Sequence, residues 1–357
     1  MKANTKDIAI VSSQGLGDGL IQLVFAQNIA RKLCASNIEV TFYQDHVFHL
    51  SSIINNCIVK PYPTASNMVA ELSEYSAVLY DHGSKFAVQM LSHEKKHPPH
   101  FIPYYVTRHK TQNKELRSIF IDHIHATQMN ELGVFANLNQ SIRHPFKHHL
   151  SVNEHFAWFS KKYLDIDEYE LTPLLNIPYT WKAQKFSKRV LIHPSSSMTS
   201  KNWSAKSFKA LALALEQQGW EPQFTISPSE RSTWIDQVEK RFLAPSFSSI
   251  FELSQYYYES SALIGNDSGN GHLASAMGLP VLSIFNRWKK SYPWRPSWSN
   301  NKVVSPWLPQ SMVGENWSHY LTVDKVLKAF NALIHERYFL KPKPIRSESH
   351  FKFGSHT

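Results

Sequence analysis

Three short stretches bring together residue types that can hold a phosphorylated ligand and act on it. The first reads Ser12-Ser13-Gln14-Gly15-Leu16-Gly17-Asp18-Gly19-Leu20. Its glycines let the backbone turn sharply and approach a ligand, and Asp18 falls where a helix would begin. A carboxylate in that place can work as a general base, or it can merely cap the helix. The spacing Gly15-x-Gly17-x-Gly19 differs from the dinucleotide fingerprint Gly-x-Gly-x-x-Gly, which speaks against an NAD site. The second stretch is His193-Pro194-Ser195-Ser196-Ser197, followed by Lys201-Asn202-Trp203. Hydroxyls and backbone N–H groups of such a loop can hold a phosphate while Lys201 supplies a point charge. The plainer reading is a Ser-rich loop with an exposed Lys and a buried Trp. The third is Ile264-Gly265-Asn266-Asp267-Ser268-Gly269-Asn270-Gly271-His272-Leu273. Gly269 and Gly271 permit close backbone approach, and a helix starting near Gly271 would point its positive end at the loop, as an anion site requires. A tight turn with Asp267 as its cap would give the same residues.

These stretches need strands to launch them and helices to receive them, and the chain alternates short apolar runs with amphipathic segments. Strands are expected at 8–12, 38–43 and 77–80, with a helix over 20–33 whose apolar positions include Ala26, Ile29, Ala30 and Leu33. The His-, Lys- and Pro-rich segment 93–114 reads as exposed loops, and 118–132 as a helix stopped by Gly133. A second alternation opens at 189–193. It continues with a helix over 205–217, a strand at 223–226, a helix over 251–258 and a strand at 262–265. A helix over 271–277, a strand at 281–285 and a final helix around Val323–Phe330 complete it. The expected division is an N-terminal domain over 1–175, a linker over 176–188, a C-terminal domain over 189–340 and a polar tail over 341–357. Motifs two and three then fall at the C-terminal ends of strands in one domain, where ligands bind in open α/β sheets.

Bulk properties narrow the field. A chain of 357 residues, 42% hydrophobic and 18% charged, has globular composition and suits two domains. Two cysteines cannot build a disulfide framework, which fits a reducing compartment. No signal-peptide apolar core is evident, and no apolar run approaches the roughly 20 residues that span a bilayer. The expected location is cytoplasmic, with peripheral contact at the cytoplasmic face of the inner membrane. A formal charge of +10 calls for an anionic partner; the absence of RNP or zinc-finger signatures turns that expectation away from nucleic acid. His93-Glu94-Lys95-Lys96-His97 matches the zinc-protease pattern in letters only, because Pro98 and Pro99 follow at once and 19 histidines make a chance pair unremarkable. The cluster Lys95, Lys96, Arg108, Lys110, Lys114 and Arg117 either grips an anionic acceptor and its membrane or is a solvated face. Trp288, Trp294, Trp298 and Trp307 read as anchors of a long loop in preference to covers for a base.

In this order the three motifs resemble those of the ADP-heptose:lipopolysaccharide heptosyltransferases, glycosyltransferase family 9. Gly265-Asn266-Asp267-Ser268-Gly269, His272-Leu273-Ala274 and Ala276-Met277-Gly278-Leu279-Pro280 resemble that family's G-N-D-S-G-x-x-H-L-A-x-A-x-G-x-P. His193-Pro194 with Lys201-x-Trp203 resembles its H-P-G-A…K-x-W, and Gly17-Asp18 its N-terminal G-D-x-L. The chain departs from the pattern at Ser195, Val24, Asn270-Gly271 and Asn286-Arg287-Trp288. The resemblance implies an α/β GT-B fold, two Rossmann-like domains facing a central cleft. It implies an inverting, metal-independent glycosyltransferase using a nucleotide-sugar donor, ADP-heptose, and an anionic glycolipid acceptor of the lipopolysaccharide core, with no cofactor. Asp18 would be the base. Ser196, Ser197 and Lys201 would neutralise the departing diphosphate, Ser268 and Gly269 would add N–H groups, Asp267 would bind donor-sugar hydroxyls, and His272 would orient the loop or touch phosphate. Lys95, Lys96, Arg108, Lys110 and Arg117 would meet the acceptor. A nucleotide-sugar epimerase on the same fold and a non-catalytic nucleotide-sugar-binding protein are the alternatives.

Overall fold

The computed structural model describes residues 7–64, 67–81, 101–104, 149–238, 241–287, 292–308, 312 and 314–339. The expected helix over 118–132, the segment around His93 and the polar tail lie outside them. The first half runs β1 (Ile8–Val11), α1 (Leu16–Leu33), β2 (Val40–Tyr43), α2 (Asp45–Phe48), β3 (Ile58–Lys60), α3 (Met68–Leu72), β4 (Ala77–Asp81), β5 (Phe101–Tyr104) and α4 (Val152–Leu164). The second half runs β6 (Arg189–His193), α5 (Ala205–Gln217), β7 (Glu221–Phe224), α6 (Arg231–Val238), α7 (Ile250–Tyr258), β8 (Ala262–Asn266), α8 (Gly269–Ala276), β9 (Val281–Ile284), β10 (Asn301–Val304) and α9 (Val323–Phe339).

Among the described residues each half holds a five-stranded sheet, ordered β3-β2-β1-β4-β5 and β10-β9-β8-β6-β7. All the pairings are parallel. The inner strands are buried along their whole length except at Asp81, the last residue of β4, as parallel sheets covered on both faces must be, which is why IAIV and ALIG read as unbroken apolar runs. In each sheet the strand order reverses once beside the first strand: between β1 and β4, and between β6 and β8. Crevices for ligands open at such reversals.

Two expectations fail here. Phe101–Tyr104, placed in exposed loop by its His- and Lys-rich surroundings, is strand β5, and Phe101, Ile102 and Tyr104 are buried. Composition averaged over 93–114 hid four residues that pair with β4. The helix expected from Gly271 begins two residues earlier, at Gly269, because Ser268 takes the N-cap position.

Helix α1 explains how the halves are joined. From Gly19 to Ala30 every one of its residues is buried, so it carries no solvent face. One side meets the first sheet and α4, and the other meets α8. Leu20, Leu23 and Phe25 therefore share one hydrophobic core with Leu273, Ala274 and Met277 from the second half. Arg295, following β9, adds an ion pair to Glu154 of α4 at 3.6 Å. Among the described residues no helix is long and apolar enough to cross a membrane.

Candidate active site

The β1–α1 turn is shaped by a side chain far from it in sequence. Gln44, fully buried at the end of β2, sits with its Nε2 at 3.2, 3.1 and 3.2 Å from the carbonyls of Ser13, Gln14 and Gly15, while its Oε1 accepts from Val47 N–H. Gly15 occupies the N-cap position of α1 with no side-chain cap bond, so Asp18 lies in the first turn and is not the cap. Its carboxyl is pushed up to about 6, by burial first and the charge of Asp81 second; Lys201 pulls the other way and Asp267 adds to the rise. A helix N-terminus favours an anion. Burial and the neighbouring carboxylates outweigh that preference here.

Asp81, at the end of β4, was not singled out by sequence reasoning. Its Oδ2 accepts from Ser13 Oγ at 2.6 Å and from Gln22 Nε2 at 2.9 Å. Gln22 stands four residues after Asp18 on the same face of α1. Its Oε1 accepts from the buried Tyr104 hydroxyl of β5 at 2.7 Å. A polar residue closing an apolar strand beside β1 was the only signal in the sequence.

Across the cleft, the β6–α5 loop and the β8–α8 loop are sewn together. Asn266, buried at the end of β8, donates from Nδ2 to Pro194 O (2.6 Å), and its Oδ1 accepts from Trp203 N–H (3.0 Å). Trp203 is buried and donates to Leu321 O at 3.0 Å, which confirms it as the anchor of that loop. Lys201 and Asp267 form an ion pair at 2.9 Å. Ser196 is buried and bonded within its own turn, to Met198 O and Asn202 Oδ1, whereas Ser197 is exposed. Ser268 takes the N-cap position of α8 but makes no cap bond, and its buried Oγ has no hydrogen-bond partner among the described residues. Asp267 is thus not a cap: its carboxylate is spent on Lys201.

Several departures from the expected pattern gain a local reason. Asn270 donates to His193 Nε2 (3.0 Å), and its Oδ1 accepts from Tyr257 OH (3.0 Å). His193 Nδ1 therefore carries the proton and donates to Thr225 O (2.7 Å), and burial holds its pKa below the usual value. Ser195 donates to Glu230 (2.7 Å), a second acid beside this loop that sequence reasoning missed. Asn286 Nδ2 donates to Ser200 O (3.3 Å).

His272 is pressed between the halves. Its ring meets Trp298 edge-on at 5.7 Å, and burial pushes its pKa down to about 4 against the opposing charge of Asp267 and the Trp294 backbone. It is neutral at pH 7, which suits orienting a loop better than neutralising phosphate. A Cβ added to Gly17 would lie 2.8 Å from His272 Cδ2, and one added to Gly269 would lie 2.8 Å from Gly17 N. The N-terminal ends of α1 and α8 therefore meet backbone to backbone, and only glycine allows it. Asp18, Lys201, Asp267, Ser268, Gly269 and His272 come together around this contact. Lys95, Lys96, Arg108, Lys110 and Arg117 lie outside the described residues, as does Trp288. Trp294 and Trp298 pack on the shared core as anchors, while Trp307 is 70% exposed.

The chain matches the family model for glycosyltransferase family 9 (heptosyltransferase) over residues 121–311. It is 27% identical over 121 residues to lipopolysaccharide heptosyltransferase 3 of Escherichia coli, a match covering 32% of this chain and 35% of that protein's length. In three dimensions it is similar to a glycosyl transferase family 9 protein from Veillonella parvula, with a TM-score of 0.64, 15% identity and coverage of 94% of this chain and 99% of the other. It is also similar to the E. coli ADP-heptose lps heptosyltransferase II, with a TM-score of 0.61, 17% identity and coverage of 93% and 99%. These likenesses identify the fold as GT-B.

Proposed function

Because the chain belongs to glycosyltransferase family 9, we propose that it transfers a sugar, heptose on the pattern of its relatives, from a nucleotide diphosphate donor to a lipopolysaccharide-core or related glycan acceptor. The observation that carries this reading is the meeting of Asp18, from the first sheet, with the Lys201–Asp267 pair and the start of α8, from the second. The donor pyrophosphate would lie against Lys201, Ser268 Oγ and the N–H groups opening α8. Asp267 would then turn toward donor-sugar hydroxyls. The acceptor hydroxyl would give its proton to Asp18 while its oxygen attacks the anomeric carbon from the face opposite the diphosphate. The bond from that carbon to the phosphate oxygen breaks, its electrons pass to the nucleotide diphosphate, and the anomeric centre inverts. Fixed positive groups stabilise the charge as it develops, without a proton on the leaving group, so Lys201 and the α8 dipole do here what a divalent metal does elsewhere. We accordingly expect transfer to persist in a chelator. A base held in place adds typically about 10²–10⁴-fold to the rate. An anionic glycolipid acceptor would bring a chain of charge +10 to the membrane face.

Purified protein given ADP-heptose and core-truncated lipopolysaccharide should release ADP. Asp18→Asn should bind ADP and release none from the donor. Wild-type binding without transfer would favour a non-catalytic nucleotide-sugar protein, and interconversion of the free nucleotide sugar would favour an epimerase.

A further inference from the structure

We propose that Asp81 is a positioning residue for this reaction: a carboxylate locked beside Asp18 by Ser13 and Gln22, whose fixed negative charge strengthens Asp18 as a proton acceptor. The inference deepens the reading of Asp18 as the base and rests on it.

Placement comes first. The register sets Val11 opposite Tyr80, so β1 and β4 end side by side at the reversal of strand order, and the turn carrying Asp18 and the carboxylate of Asp81 leave from adjacent strand ends. Two donors then fix the Asp81 carboxylate. Ser13 belongs to the turn that leads to Asp18, and Gln22 lies one helical turn below Asp18 on the same face. Gln22 cannot swing away, because it is buried and its Oε1 accepts from Tyr104 OH and from Ser13 N–H at 3.3 Å. Both donors reach the same oxygen, Oδ2, so the orientation of the Asp81 carboxylate is fixed from the β1–α1 turn and from α1 together.

Electrostatics agree with the geometry. Among the described residues, the charged and titratable groups facing Asp18 are Asp81 from β4, Tyr62 beyond β3, Lys201 from the β6–α5 loop and Asp267 from the β8–α8 loop. Lys201 lowers the proton affinity of Asp18, and Asp81 is the largest charge raising it. Once a pyrophosphate engages Lys201, the cation's pull on Asp18 is offset and Asp81 remains. A carboxylate titrating near 6 is still ionised at pH 7 yet is a stronger base than an ordinary one, which is what proton removal in the transition state rewards.

Asp81→Asn tests this, since the amide oxygen can still accept from Ser13 and Gln22 while the charge is gone. The midpoint of Asp18, followed through its carboxyl carbon by NMR in the protein without substrates, should fall by about half a pH unit or more. The acid limb of kcat/KM against pH should move the same way, and kcat at pH 8 should drop several-fold with ADP affinity unchanged. Asp81→Glu should restore part of both. An unmoved Asp18 midpoint in a folded Asp81→Asn protein overturns the proposal. Because that readout needs no turnover, it stands apart from the Asp18→Asn transfer assay, whose failure would instead defeat the assignment of the base.

Discussion

Replacing Asp18 by Asn should make the protein more stable while removing its activity. In the folded chain the Asp18 carboxyl titrates at about 6, against 3.8 ordinarily. The folded state therefore binds this proton more tightly than the unfolded state. Stability falls as pH rises from about 4 to about 6, and the loss persists at higher pH. That rise corresponds to about 3 kcal/mol once Asp18 is fully ionised, chiefly the cost of burying a charge that Asp81 and Asp267 oppose. Asn keeps the shape and removes the cost. With an unfolding entropy of about 2.1 cal/mol/K per residue and both halves unfolding together, as their shared core dictates, 1–3 kcal/mol becomes a gain of roughly 1–4 °C in Tm at pH 7.5. Near pH 4 the gain should shrink to about half a kcal/mol, because wild-type Asp18 is then protonated. Thermal unfolding of both proteins across pH 4–8 makes the comparison. An Asn variant that melts at or below wild type at pH 7.5, or whose advantage does not depend on pH, would refute the reasoning.

Lys201→Ala should weaken ADP binding by about 10- to 100-fold in calorimetry, the usual weight of a charge-assisted contact, and an unchanged affinity would remove Lys201 from the donor site. Gly269→Ala should lower Tm, although alanine is the better helix former, because the new methyl meets the Gly17 backbone nitrogen at 2.8 Å and Leu16 Cβ at 3.0 Å. Spreading the two helix ends should also cost transfer activity about 100-fold, read as ADP release, and wild-type activity in this variant would show that the close contact does not set the reacting geometry.

Much of this architecture could be read in the residues because local pattern and tertiary role coincide. RVLIH is strand β6 from end to end, and Ala205–Gln217 is helix α5 with Phe208, Leu211, Ala212 and Leu215 buried at helical spacing. Strands β3 and β10 escaped notice because IVK and NKVV are short edge segments, exposed at both ends in β3 and mostly half-buried in β10, whose pairing comes from a neighbour and not from their own hydrophobicity. Helix α4 carries a full capping box, Ser151 with Glu154, and that signal could have been used. At the site, Asp18, Lys201 and Asp267 stood out through motif spacing. Asp81, Gln22, Gln44 and Glu230 did not, since each acts through partners 9 to 82 positions away or through a loop that only the fold closes. Sequence distance hides such partnerships until the sheets are assembled.

The glycine contact between α1 and α8 has a mechanical consequence. Around it the two helices share a continuous apolar core, so the lobes are clamped along a seam and not hinged at a point. How closely the two helix ends approach then sets the spacing of the groups seated beside them, Asp18 on one lobe and Asp267 on the other.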